Sequence, residues 1–113
     1  MVRIVEIVGE PGRPIERFGS AAARHLGGVR FAGDGGWTVL SLGADGHLGR
    51  HPTALDQLFV VLAGSGWVAG DDRVRTPIQA GQAALFNRGE EHESGTPDGM
   101  RVAVLEAESI EVP

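Results

Sequence analysis

The chain has 113 residues, 42% hydrophobic and 22% charged, which is the size and make-up of one globular domain and excludes wholesale disorder. Its 15 acidic residues outnumber 10 basic ones, all arginine and forming no stripe, so the net charge of −5 argues against a nucleic-acid partner. There is no cysteine, which excludes disulfides, thiolate metal sites and cysteine nucleophiles and leads us to expect a cytoplasmic protein.

In chain order, Val2 to Val8 alternates like a strand and ends in Gly9-Glu10-Pro11-Gly12. Its apolar start is broken by Glu6 and does not read as a signal peptide. Ser20 to Leu26 is the one segment with helix signals: Ser20 as N-cap and Gly27 just past the end. Strand-like segments follow at Val29–Ala32, Trp37–Leu42, Leu58–Ala63, Trp67–Ala69, Arg73–Ile78, Gln82–Phe86 and Met100–Glu106. Turn chemistry separates them at Gly33–Gly36, Gly43–Gly46, Gly70–Asp72, Asn87–Gly89 and Thr96–Gly99, in keeping with 18 glycines and 6 prolines. The longest apolar run, Leu58 to Gly64, is far short of the roughly 18 residues that cross a bilayer, so no membrane partner is expected. Short strands punctuated by turns predict one all-β domain over residues 1–113, a sandwich or barrel with at most one short helix near its start.

Two chemical patterns fall away. Gly64-Ser65-Gly66-Trp67-Val68-Ala69 fits a loose dinucleotide fingerprint, but a hairpin rather than a helix is expected next. Glu90, Glu91 and Glu93 read as a solvated loop around one inward histidine, His92. Of the four histidines, His25 lies in the expected helix and reads as a surface residue. Trp37, Trp67, Phe59 and Phe86 read first as core, and Arg50 and Arg88 as solvated, with Arg88 able to guard a pocket mouth.

The remaining histidines lie in a recognisable frame. Gly81 to His92 has the spacing G-x5-N-x-G-x2-H, which resembles the second signature of the cupin superfamily, with Asn87 in place of its usual proline and Thr96 in place of its usual asparagine. Upstream, His51-Pro52-Thr53 through Gln57 to Gly64 resembles the first signature, H-x-H-x3-E-x6-G, with Thr53 in place of the second histidine and Gln57 in place of the glutamate. The resemblance covers about residues 37–106. It implies a small cupin: a jelly-roll β-barrel with an interior cavity, in many members holding a divalent first-row metal on three histidines and a glutamate.

Carried over residue by residue, the resemblance leaves His51, Gln57 and His92 as metal ligands, with His47 as a further candidate, and no carboxylate at a motif position. The ion would be a first-row metal such as Ni, Zn, Mn or Fe. The shared parity of His51, Thr53, Gln57, Phe59 and Val61 turns them toward one interior. Thr53, Phe59, Phe86 and Trp67 are the expected pocket residues. The expected function is binding of a divalent metal, a small polar organic molecule, or both, with metal-dependent catalysis or metal-free sensing as alternatives. The resemblance also implies a homodimer, for which the Val2–Val8 strand offers an edge that must be covered.

Overall fold

A computed structural model describes residues 2–22 and 24–113 of the chain. Among them, ten strands run in order: β1 (Arg3–Glu6), β2 (Arg13–Pro14), β3 (Arg24–His25), β4 (Arg30–Leu42), β5 (His47–Pro52), β6 (Asp56–Ala69), β7 (Thr76–Gln79), β8 (Gln82–Phe86), β9 (Glu91–Gly95) and β10 (Met100–Glu111). The only helical element among the described residues is a single 3-10 turn at Arg17–Gly19. No helix among them is long and apolar enough to cross a membrane.

Apart from β2 and β3, which pair only with each other among the described residues, the strands form two antiparallel layers joined by one long strand. One layer has the order β1-β8-β6-β10-β4; the other is built from β5, β9, β7 and the second half of β6. Residues 56 to 64 of β6 pair with β10, and residues 65 to 69 pair with β7 and β9. The segments expected at Leu58–Ala63 and Trp67–Ala69 are therefore one strand that passes from layer to layer. Glycines permit the crossing. Gly64 adopts φ +80°, and a Cβ there would collide with the Gly99 carbonyl, so only glycine fits without strain. The first layer does not close by hydrogen bonds, and β1 and β4 remain its edges.

Alternation on β6 sorts its side chains between two faces. Phe59 and Val61 point between the layers and pack with Leu42, Val68, Ile78, Phe86 and Val102. Leu58 and Val60 point outward and pack with Ala103, Leu105 and Ile110, under Ile7 and Val29. Full burial of a phenylalanine such as Phe59 or Phe86 stabilises the fold by roughly 1.5–3 kcal/mol. These two faces explain the two apolar clusters.

Several expectations need correction. Ser20–Leu26 is not a helix. Ser20 is extended and closes the 3-10 turn, while Arg24 and His25 form β3 against Arg13 and Pro14. Ala23 lies outside the described residues. A seven-residue helix is too short to hold without a partner face, and this segment satisfies its backbone elsewhere: Gly9 N–H donates to the Leu26 carbonyl at 2.7 Å and the Arg24 side chain to the Pro11 carbonyl. Glu91–Gly95 is a strand rather than a solvated loop, and His47–Pro52 is its partner. Arg50, expected to be solvated, is largely covered and ties this pair together: it donates to Glu91 at 2.8 Å and to the Gly70 carbonyl at 2.9 Å. Trp37, expected in the core, is 62% exposed on the outer face of β4.

Candidate ligand pocket

Between the layers lies a cavity of about 220 Å³. Its apolar walls are Leu40, Leu48, Phe59 and Val104, and its polar groups are Thr38, His51, Gln57, His92, Ser94 and Glu106. Each reaches it through a simple register relation. Thr38 and Leu40 take the inward face of β4, opposite Trp37 and Val39. Gln57 and Phe59 share the inward face of β6. His51 on β5 is the direct cross-strand partner of His92 on β9, and Gln57 is that of Glu106 on β10.

The histidine pair is the centre of the site. The two ring centroids are 4.5 Å apart, inclined at 58°. His51 stands exposed at the mouth, and its Nδ1 donates to the Gly49 carbonyl at 2.7 Å. A carbonyl can only accept, so the neutral ring keeps its lone pair on Nε2. His92 is 5% exposed and stacks on Phe86 at 4.7 Å. Its Nδ1 is buried without a well-formed hydrogen bond. Burial, then the neighbouring His51 and Arg50, hold the His92 pKa below its ordinary value, against the opposing pull of the Glu90 carbonyl and of Glu106. His92 is therefore neutral at physiological pH.

Glu106 is the residue that motif reading missed. The Gln57 amide Nε2 donates to its Oε1 at 2.9 Å, and Gln57 itself is 5% exposed. The carboxylate absent from position 57 thus stands on the adjacent strand, directly opposite. A glutamate at 57 would face a second carboxylate in a cavity where like charges repel strongly, whereas glutamine satisfies the one already present. The signal that could have found Glu106 is strand pairing: β10 must lie beside β6 for the apolar faces to match, but the register cannot be read from local spacing.

Other expected residues fall elsewhere. Thr53 is buried but does not line the cavity; its hydroxyl donates to the Asn87 carbonyl at 2.8 Å and pins the Asn87–Glu90 turn. Phe86 sits behind His92 rather than on the cavity wall. His47 and Trp67 line a different recess, with Arg75 stacked 3.8 Å from the Trp67 ring centroid and His47 Nε2 3.2 Å from Glu93. His47 therefore does not join His51 and His92. Arg88 lines a third, outer recess, and its backbone N–H donates to Asp56 at 2.9 Å, so it does not guard the histidine pocket.

As a seat for a divalent metal, the residues present are a partial set. Two imidazoles converge, but no group of three or more His, Cys, Asp or Glu side chains is arranged to hold an ion among the described residues. Glu106, the nearest carboxylate, is engaged by Gln57.

No family model and no curated protein matches the chain. Solved structures do. An RmlC-like cupin from Shewanella frigidimarina superposes with a TM-score of 0.62 at 18% identity, over 74% of this chain and 72% of that one. An uncharacterized conserved protein with a double-stranded β-helix domain from Klebsiella pneumoniae gives 0.61 at 16% identity, over 95% of this chain and 90% of its own. The polyketide cyclase RemF from Streptomyces resistomycificus gives 0.60 at 21%, over 72% of this chain and 61% of that one. With its two layers joined through β6 and its histidine pair between them, the chain is a small protein of the cupin fold.

Proposed function

We propose that this protein binds a small organic molecule in the cavity between its layers. One observation carries the reading: against walls of Leu40, Leu48, Phe59 and Val104, the side chains of His51, His92, Gln57 and Glu106, from four different strands, converge on one space. Apolar walls with a few convergent polar groups are the usual make-up of a small-molecule site. At about 220 Å³ the cavity is smaller than the ~300–1,000 Å³ typical of drug-sized ligands, so the occupant is smaller too. Neutral His92 beside the Glu106 carboxylate offers a proton acceptor at the ligand, the minimum that acid–base chemistry would need.

A second reading has its own support. The Gly49 carbonyl fixes His51 in the tautomer that ligates through Nε2, an arrangement common where imidazole holds a metal. In that reading His51 and His92 hold a divalent first-row ion, with the Gln57 carbonyl oxygen as a weaker third donor and positions left for solvent or ligand.

We also propose that two copies associate along β4. This strand has 13 residues, pairs only with β10 among the described residues, and presents Trp37 and Val39 to solvent. The edge expected at Val2–Val8 is shorter, four residues in β1, and Val2 and Val5 are buried.

A screen of amines, alcohols and acids of up to six carbons, read by ligand-observed NMR, tests the main reading. Leu48→Trp fills the cavity from its wall and is expected to weaken every hit at least tenfold; hits of unchanged strength would overturn the reading. For the metal reading, Gln57→Glu is expected to tighten Ni²⁺ or Mn²⁺ at least tenfold in calorimetry, about 1.4 kcal/mol. No tightening of either ion removes it.

A further inference from the structure

The charge of the cavity is one-sided. Among the described residues, Glu106 is its only acidic or basic lining residue besides the two histidines, and no arginine lines it. The chain contains no lysine that could. Gln57 spends one amide N–H on Glu106, which leaves its own carbonyl oxygen and the second Glu106 oxygen as acceptors and its second N–H as a donor. His51 adds a third acceptor, because its Nδ1–H is committed to Gly49. These acceptors and the one negative charge lie against Leu40, Leu48 and Val104, beside the Thr38 and Ser94 hydroxyls, which can donate or accept.

Such a surface discriminates chiefly by charge. A buried acceptor left without a donor costs binding free energy, and a second carboxylate would add repulsion in a poorly solvated space. An incoming amine or hydroxyl answers both. We infer that the pocket selects small molecules with a short apolar body and a donor head that is neutral or positively charged, an amine or an alcohol, and turns away carboxylates. This rests on the cavity being the ligand site and names the class of ligand it takes.

Three probes of matched shape test it: butylammonium, 1-butanol and butyrate, titrated calorimetrically with wild type and Glu106→Gln. Glu106→Gln keeps the shape and a hydrogen bond to Gln57, and a thermal melt checks that it folds. In wild type, butylammonium is expected to bind at least tenfold more tightly than butyrate, with butanol between. In Glu106→Gln the ammonium and carboxylate should come within threefold of each other. Butyrate binding as tightly as butylammonium to wild type, or an ammonium preference that survives in Glu106→Gln, overturns the inference and leaves the cavity as a ligand site. Silence from all three probes overturns the ligand site itself. A divalent cation shares the chemistry of an ammonium, so the titrations contain a chelator, and Ni²⁺ is titrated separately without it. Butylammonium binding that persists with chelator supports the organic ligand; binding that vanishes with it overturns the assignment.

Discussion

At the scale of single residues, four side chains line the candidate site, and their positions differ in how far sequence spacing could predict them. His51 and His92 stand in signature frames whose turns fix where the chain re-enters the interior. Gln57 follows from parity along one strand. Glu106 does not, because its role depends on β10 pairing with β6 in one register, a contact between residues 49 apart. Thr53 shows the converse: parity aimed it at the cavity, but the bend before β6 turned its hydroxyl to the Asn87 carbonyl. The buried His92 has a consequence for stability. Its folded pKa lies below the ordinary 6.5, so as pH falls through about 6.5 the unfolded chain takes up a proton that the folded state resists. His92 thus costs no stability above that range, makes the protein progressively less stable on acidification, and adds no further loss once pH is below its folded pKa. Chemical denaturation at several pH values between 8 and 5 should show this slope in wild type, and His92→Gln should flatten it. Equal slopes in both proteins would contradict the assignment of His92 as a buried neutral base.

At the scale of elements, strands with apolar alternation were legible and polar ones were not. Gln82–Phe86 appears with its expected ends, whereas β5, with the sequence His47-Leu-Gly-Arg-His-Pro52, has one large aliphatic residue and no alternation to read. What holds β5 is long-range: its ladder to β9 and the Arg50 contacts to Glu91, Glu93 and the Gly70 carbonyl. The expected helix failed for a related reason. Three alanines and a capping serine favour a helix locally, yet the segment is too short to outweigh the pairing of β3 with β2. The proposed association along β4 also belongs to this scale. A long, open strand edge beside exposed Trp37 and Val39 is a template for a second strand. Light scattering should give twice the single-chain mass for wild type and the single-chain mass for the double variant Trp37→Lys, Val39→Lys, whose added charges block edge pairing. A monomeric wild type, or a variant that stays dimeric, would contradict association through β4.

At the scale of the molecule, the two-layered fold was readable from two signatures in order and from turns between short strands. The bend that makes one strand of two segments was not, because its cause is the approach of Gly64 and Gly66 to the Gly99 and Gly95 carbonyls in space. Nor did composition say which tryptophan would be covered: Trp37 lies outside and Trp67 lies under Arg75. The fold also supplies its own control for the central claim, that His51, His92, Gln57 and Glu106 line one ligand site. Of the four histidines, two line the cavity and two, His25 and His47, lie away from it. The direct measurement is a long-range ¹H–¹⁵N spectrum of the imidazole rings during titration with butylammonium at constant pH. The His51 and His92 signals are expected to move together and saturate together while His25 and His47 stay in place. His51 and His92 unmoved, or all four shifting alike, would contradict it.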